Sequence, residues 1–121
     1  MPFTAVTYDI KPGFEDEIAE VFGSFRRVGS SNISTTDGEP TSRILATAVF
    51  IQGATLVRVI EYEGDLDVIL RFMASQPGVR EVEQRLVPYL NSPRDTGTPD
   101  GFIATFHRNT MRCLSQLSVG R

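Results

Sequence analysis

The sequence is short of the residues that most often perform metal and redox chemistry. It has one cysteine, Cys113, one histidine, His107, and no tryptophan. One cysteine excludes an intramolecular disulfide, and a single cysteine with a single histidine cannot supply the usual ligand sets of a zinc ion. We therefore expect a protein of a reducing compartment that holds no metal.

Long apolar runs and basic clusters are also missing. No apolar stretch approaches the roughly 20 residues that span a bilayer, and the N-terminus MPFTAVTYDI has no basic segment followed by an apolar one. The formal net charge is −3, with Lys11 as the single lysine. These features predict a cytoplasmic protein that binds neither nucleic acid nor membrane. The absence of a glycine-rich phosphate loop argues against nucleotide dependence.

What remains is a chain of 121 residues, long enough for one compact domain. We assign residues 1–114 to that domain and 115–121 to a C-terminal tail. Periodicity and turn residues predict strands at 3–10, 43–51, 54–62 and 102–107, a helix at 14–25, and a second helix from Asp65 that is interrupted at 76–78 and resumes over 79–90. The order β-α-β-β-α-β predicts a ferredoxin-like α+β fold, with both helices on one face of an antiparallel four-stranded sheet.

The two central strands are predicted to form a hairpin around Gln52-Gly53, which suits a tight turn. A two-residue loop there would pair Thr47 with Arg58 and Arg43 with Tyr62. One face of the hairpin would then gather Arg43, Thr47, Arg58 and Tyr62 among aliphatic residues.

Arg58 interrupts the apolar stretch LVRVIEYEG. Both faces of the hairpin carry aliphatic residues, so we expect the face without helices to meet another subunit and Arg58 to be buried or half-buried in either orientation. A buried guanidinium needs an acceptor. Two interpretations remain open: a core or interface ion pair, or an arginine that faces an anionic ligand.

Other polar residues carry weaker signals. His107 is either an acid–base group or a surface histidine, and Tyr8 and Tyr62 are expected to be core aromatics whose hydroxyls face solvent or ligand. The Ser/Thr/Gly-rich segment 28–41 is either a lid or an ordinary surface loop. The acidic positions at 81–83 are predicted to form a solvated helix face.

The segments "VRVIEYEGDL", "QPGVREVE" and "PYL…PRD", in that order, resemble the SchA/CurD-like proteins of actinobacterial aromatic polyketide clusters, several of which make spore pigments. The resemblance covers roughly residues 3–114. More distantly, the hairpin and "EVEQRLVPYL" are similar to tetracenomycin-type polyketide cyclases. Those are homodimeric α+β barrels that work without metal or organic cofactor.

The resemblance implies an antibiotic or spore pigment enzyme that needs no cofactor and acts on a poly-β-ketone or aromatic polyketide, and that works with minimal polyketide synthase components. The leading hypothesis is a cyclase, followed by a cofactor-independent monooxygenase and a non-catalytic polyketide-binding protein. The expected catalytic residues are Arg58, Tyr62 and His107, and the expected substrate-binding residues are Arg43, Thr47 and Tyr8. The cyclases carry a histidine in the hairpin turn where this chain has Gly53, which puts a histidine-based mechanism in doubt.

Overall fold

A computed structural model describes residues 2–23, 32–34 and 40–117 of the chain. Its strands are β1 (Phe3–Asp9), β2 (Asn32–Ser34), β3 (Pro40–Gln52), β4 (Thr55–Glu63) and β5 (Thr110–Met111). Its helices are α1 (Glu15–Gly23), α2 (Leu66–Ser75), α3 (Pro77–Leu86) and α4 (Pro99–Arg108), with a 3₁₀ turn at Val87–Tyr89. None of these helices has the length and apolar character needed to cross a membrane.

The strands form one antiparallel sheet in the order β2-β3-β4-β1-β5. The last four follow the predicted ferredoxin-like arrangement, and β2 adds a short strand at the β3 edge. The predicted α+β fold is therefore confirmed.

The two faces of the sheet have different surroundings. On the covered face, side chains of β1 and β4 alternate into a core that they share with all four helices. The buried residues that the two strands contribute to this face are Thr4, Val6, Tyr8, Leu56, Arg58 and Ile60. On the open face the side chains are mostly exposed or half-buried, and Phe50 leaves 61% of its surface exposed. Glu61, 4% exposed, is the exception on that face.

The hairpin turn differs by one residue from the prediction. Gln52 pairs with Thr55, so the two-residue loop is Gly53-Ala54 rather than Gln52-Gly53. Gly53 adopts φ 58°, a left-handed conformation that glycine reaches without steric cost. From Ala46 to Gln52 the shift moves each cross-strand partner by two positions, and it puts Val49, not Thr47, opposite Arg58.

A bulge at Leu45 changes the face assignment at one end of β3. Ala46 pairs with Glu61 while Ile44 pairs with Tyr62, so Leu45 is the extra residue. Beyond the bulge, Arg43 pairs with Glu63 and lies on the open face. The prediction that Arg43 shares a face with Arg58 and Tyr62 is therefore wrong.

The predicted last strand at 102–107 is also wrong, because these residues belong to α4. Thr98 caps the helix by accepting a hydrogen bond from the Gly101 backbone N–H, and Pro99 occupies the first turn. The buried residues Phe102, Thr105 and Phe106 follow helical spacing. The strand that pairs with β1 comes later and is only two residues long.

The second predicted helix and its interruption are confirmed. Asp65 caps α2 through a 2.9 Å hydrogen bond from the Asp67 backbone N–H. Gln76 ends α2 in an extended conformation, and Pro77 begins α3. This break turns the chain so that α3 packs against both α1 and α2.

Candidate functional site

Four polar side chains meet in the interior between the sheet and the helices. We call them the interior polar cluster: Tyr8 on β1, Arg58 on β4, Glu83 on α3 and Arg94 in the connector between the 3₁₀ turn and α4. Tyr8, Arg58 and Glu83 are 3%, 6% and 5% exposed. Burial of this degree is rare for charged residues unless they are paired, which makes the cluster the leading candidate site.

Glu83 and Arg94 form the ion pair at the centre of the cluster. The Arg94 Nε–Glu83 Oε2 and Arg94 Nη2–Glu83 Oε1 distances are both 3.4 Å, so one edge of the guanidinium faces both oxygens of the carboxylate. Their side chains are only 7% and 5% exposed. Two parallel contacts fix the plane of the carboxylate as well as its position.

Arg94 also covers the ring of Tyr8. Its guanidinium carbon lies 4.0 Å from the ring centroid, within the range of a cation–π contact. Tyr8 is therefore packed against the guanidinium of Arg94, and Arg94 in turn holds the Glu83 carboxylate.

The Tyr8 phenol is held in its neutral form. Burial, chiefly, raises its pKa above the usual 10.0, and the neighbouring Glu83 carboxylate raises it further by charge and by accepting its hydrogen bond. Arg58 and Arg94 oppose this by favouring the phenolate, but the net direction is upward. Tyr8 therefore carries its proton at neutral pH.

Arg58 reaches the same region from the neighbouring strand. Tyr8 pairs with Leu56 and Arg58 pairs with Val6, so Tyr8 and Arg58 are diagonal neighbours on the covered face. The Arg58 guanidinium carbon lies 5.6 Å from the ring centroid of Phe22 on α1. Strand β4 thus directs Arg58, the arginine in its apolar centre, into the layer between the sheet and the helices.

The connector that supplies Arg94 is tied to the fold on both sides. Near its start, the Ser92 hydroxyl and the Asn91 amide donate to Asp9 at 2.7 and 3.2 Å. Near its end, the Thr105 hydroxyl donates to the Asp95 carbonyl at 2.8 Å. Two small cavities, of about 150 and 280 Å³, flank the connector, and they are lined in part by Glu83 and Arg94 respectively.

The other residues proposed from the sequence lie in different surroundings. Tyr62 is half-buried on the covered face and packs against the core, whereas Thr47 is exposed. Arg43 pairs with Glu63 at 2.8 Å on the open face, where both side chains are at least 42% exposed. His107 lies on α4 with its Nε2 2.7 Å from Asp67 Oδ1, and it is 48% exposed.

Sequence reasoning missed Glu83 and Arg94. The prediction of a solvated face at 81–83 is wrong for Glu83, which lies at helical spacing among Val79, Val82 and Leu86 on the buried side of α3. A carboxylate at a position within that apolar stripe could have indicated that Glu83 is buried. Arg94 had no local signal, because its role depends on the path of the connector.

Two further expectations relate to this region. Within residues 2–23, 32–34 and 40–117, no group of three or more His, Cys, Asp or Glu side chains is arranged to hold a metal ion. The proposed lid at 28–41 lies largely outside the described residues, apart from β2 and the first two residues of β3.

The fold and the cluster define an α+β protein with charged groups enclosed between its sheet and its helices. The chain belongs to the SchA/CurD-like domain family, whose model matches residues 1–119.

Three relatives come from Streptomyces. The chain is 39% identical over 107 residues to the "42.8 kDa protein in whiE locus" of Streptomyces coelicolor, covering 88% of this chain and 25% of that protein. It is 34% identical to "Polyketide synthase CurD" of Streptomyces cyaneus, covering 96% and 30%. It is 33% identical to "Protein SchA" of Streptomyces halstedii, covering 97% and 29%. The chain thus matches less than a third of the length of each relative.

Proposed function

We propose that this chain acts in aromatic polyketide biosynthesis. Support comes from its membership of the SchA/CurD-like family and from the relative named as a polyketide synthase. The proposed ligand is a poly-β-ketone or a partly cyclised aromatic polyketide, and the proposed partners are components of a minimal polyketide synthase.

For the reaction, we propose an aldol cyclisation guided by the interior polar cluster without a cofactor. A base removes a proton from a CH₂ carbon between two ketones, the enolate carbon attacks a carbonyl carbon, and the resulting alkoxide takes the proton back to become a hydroxyl. The hydroxyl then leaves as water with the remaining hydrogen of the attacking carbon, and a C=C bond forms. Negative charge appears first on the enolate oxygen and then on the alkoxide. Donors that are fixed in a water-poor site stabilise such charge more strongly than water-exposed donors do.

The burial of Arg58 on the covered face is the observation that carries this proposal. Its guanidinium is held at 6% exposure beside Tyr8, so it is already desolvated before a ligand binds. We assign it to the developing oxyanion. Tyr8 is assigned to substrate binding, and Tyr62, which lies on the same face, to a hydrogen bond or proton relay.

Arg43, Thr47 and His107 are left out of the proposed site. Each is exposed; outside the interior layer, Arg43 forms an ion pair with Glu63 and His107 contacts the Asp67 carboxylate. A base for the first proton transfer is therefore not assigned to His107.

We also propose that a second copy of the chain covers the open face. Phe50 is 61% exposed there, and Val57 and Val59 beside it on β4 are half-buried, which gives an apolar patch on a sheet face without helices. Homodimers with self-complementary interfaces are the commonest oligomers of soluble proteins.

The test is mass spectrometry of the products of a matching minimal polyketide synthase, with and without this chain. The cyclase proposal expects the chain to increase a product that has lost water, and Arg58→Met to abolish that increase. Arg71→Met, which removes an exposed guanidinium from α2, is the control and is expected to behave as the unmodified chain does.

The other outcomes are equally informative. A product that gains an oxygen atom would indicate a monooxygenase instead of a cyclase. An unchanged product mass and retention time would indicate a polyketide-binding protein instead of an enzyme. Full activity of Arg58→Met would remove Arg58 from the mechanism.

A further inference from the structure

Arg94 has a second hydrogen-bonding edge that its ion pair leaves unused. A guanidinium carries five N–H donors. The contacts to Glu83 occupy one edge, through Nε and Nη2. Among the residues that the structure describes, no buried side-chain nitrogen lacks a hydrogen-bond partner. Nη1 has no partner among them, so this atom is open to solvent although the Arg94 side chain as a whole is only 7% exposed.

The position of this free edge, formed by Nη1 and the second N–H of Nη2, is fixed by two neighbours. The Tyr8 ring packs against the guanidinium, with its centroid 4.0 Å from the guanidinium carbon. Glu83, which lies on the buried side of α3, holds the edge that contains Nε. A donor that is already fixed loses less conformational entropy when a ligand binds, so it contributes more to affinity than a donor on a mobile side chain.

The larger of the two cavities beside the connector offers space for a ligand at Arg94. Its volume is about 280 Å³, and its lining residues are Val87, Leu90, Asn91, Pro93 and Arg94. Three of them are apolar, and Arg94 is the one that carries a charge. An apolar cavity of about 150 Å³ can hold benzene. The larger cavity therefore has room for an aromatic ring with a short chain beside a guanidinium.

The charge of the interior polar cluster favours an anion at this place. The cluster contains two guanidinium groups, Arg58 and Arg94, but one carboxylate, Glu83, and the Tyr8 phenol is neutral at neutral pH. One positive charge is left over in a region that water hardly reaches, where an uncompensated charge is unfavourable. A ligand with a single negative charge would neutralise it.

We propose that the free edge of Arg94 binds a planar pair of oxygen atoms that share one negative charge, while the apolar body of the ligand lies along Val87, Leu90 and Pro93. A guanidinium edge matches such a pair through two parallel hydrogen bonds. Carboxylates and the enolates of 1,3-diketones both have this form. The inference rests on the proposed function, which selects the second group, because neighbouring ketones of a poly-β-ketone are 1,3-related. Arg94 is then a substrate-binding residue for the enolised part of the polyketide.

Ligand-detected NMR with three phenyl probes tests this proposal. Benzoate carries a carboxylate, 1-phenyl-1,3-butanedione forms a 1,3-diketone enolate at alkaline pH, and acetophenone has a single neutral ketone. The unmodified chain is expected to bind benzoate and the enolate at least about tenfold more tightly than acetophenone, because the neutral ketone lacks the charged pair of acceptors. The affinity for the diketone should rise with pH as its enolate forms, while the affinity for acetophenone stays level.

Arg94→Lys is the decisive variant, because lysine keeps a positive charge beside Glu83 but has no planar second edge. It is expected to reduce the preference for both anions to less than about threefold. The control Arg80→Lys makes the same change at an exposed arginine that lines the smaller cavity, and it should keep the preference. If Arg94→Lys does not fold, Val87→Asp replaces it, since Val87 is 62% exposed. Its carboxylate should weaken binding of both anions but not of acetophenone.

Equal binding of all three probes, failure of all three to bind, or a preference that survives Arg94→Lys would overturn the inference. These results leave the polyketide proposal to the product assay. Binding of benzoate without the enolate would also overturn the inference, because the larger cavity would then be a carboxylate site unconnected with a polyketide. Equal weakening of all three probes by Val87→Asp would show that the anion is not bound in this cavity.

Discussion

An arginine and a glutamate form a pair on each side of the sheet, in opposite surroundings. On the covered side, the Arg94–Glu83 pair is 5–7% exposed and belongs to a four-residue cluster. On the open side, the Arg43–Glu63 pair is 2.8 Å apart but 42–50% exposed. The exposed pair has the shorter contact, but removing one partner is expected to cost more stability in the buried pair. The remaining buried charge cannot be solvated by water, whereas an exposed charge can.

The largest effect is expected from Glu83→Ala. It leaves the Arg94 guanidinium buried without its carboxylate and should reduce the free energy of unfolding by about 3–5 kcal/mol in urea titrations. The matched change on the open face, Glu63→Ala, should cost less than about 1 kcal/mol. If Glu83→Ala and Glu63→Ala lowered the free energy of unfolding by similar amounts, burial of the Arg94–Glu83 pair would not make its arginine more dependent on its glutamate.

A smaller, pH-dependent effect is expected from Tyr8. In the unfolded chain a tyrosine ionises near pH 10.0, whereas the folded chain raises the pKa of Tyr8 above that value. Between the two pKa values the folded state binds more protons, so the stability that Tyr8 contributes is complete below about pH 10 and is lost as pH rises through the folded pKa.

Urea titrations at a series of alkaline pH values test this. Tyr8→Phe should give a shallower loss of stability with pH than the unmodified chain, while Tyr89→Phe should keep the slope. If Tyr8→Phe left the dependence of stability on pH unchanged, burial on the covered face would not raise the pKa of Tyr8.

The smallest effect on unfolding is expected on the open face itself. Phe50→Arg should change the stability of the monomer by no more than about 0.5 kcal/mol, because the side chain is 61% exposed. It should abolish self-association in sedimentation equilibrium. Val87→Arg, at a residue of the 3₁₀ turn that is 62% exposed, should leave association intact. An unmodified chain that stays monomeric at every concentration would rule out the second copy as the cover of this face.

Local signals predicted much of the fold. The Asp65 cap, the break at Pro77 and the two hairpin strands each depend on a few adjacent residues. The strand predicted at 102–107 was wrong because the alternation of Phe102, Ala104 and Phe106 also fits a strand. In the fold, the residues that are buried in this segment have helical spacing. Thr98 and Pro99 at the preceding positions indicate a helix start and would have decided the question.

The candidate site was only partly predictable for a different reason. The burial of Arg58 was expected from the apolar strand around it, and it is confirmed. Its surroundings depend on residues distant in sequence, since Tyr8, Glu83 and Arg94 reach the cluster from β1, α3 and the connector. The β3–β4 register also depends on two features that each shift the pairing by one residue, the Gly53-Ala54 loop and the bulge at Leu45. Neither feature has an unambiguous sequence signature.

The bulge at Leu45 has a consequence for how this domain can diversify. The extra residue reverses the inward and outward positions of β3, so that Ile44 points to the core and Arg43 to the open face. If the same residues paired regularly, with Leu45 opposite Tyr62, Arg43 would move to the covered side without any substitution. The presence or absence of a bulge in this strand therefore offers such domains a route to new ligand preferences that residue-by-residue comparison of aligned positions would overlook.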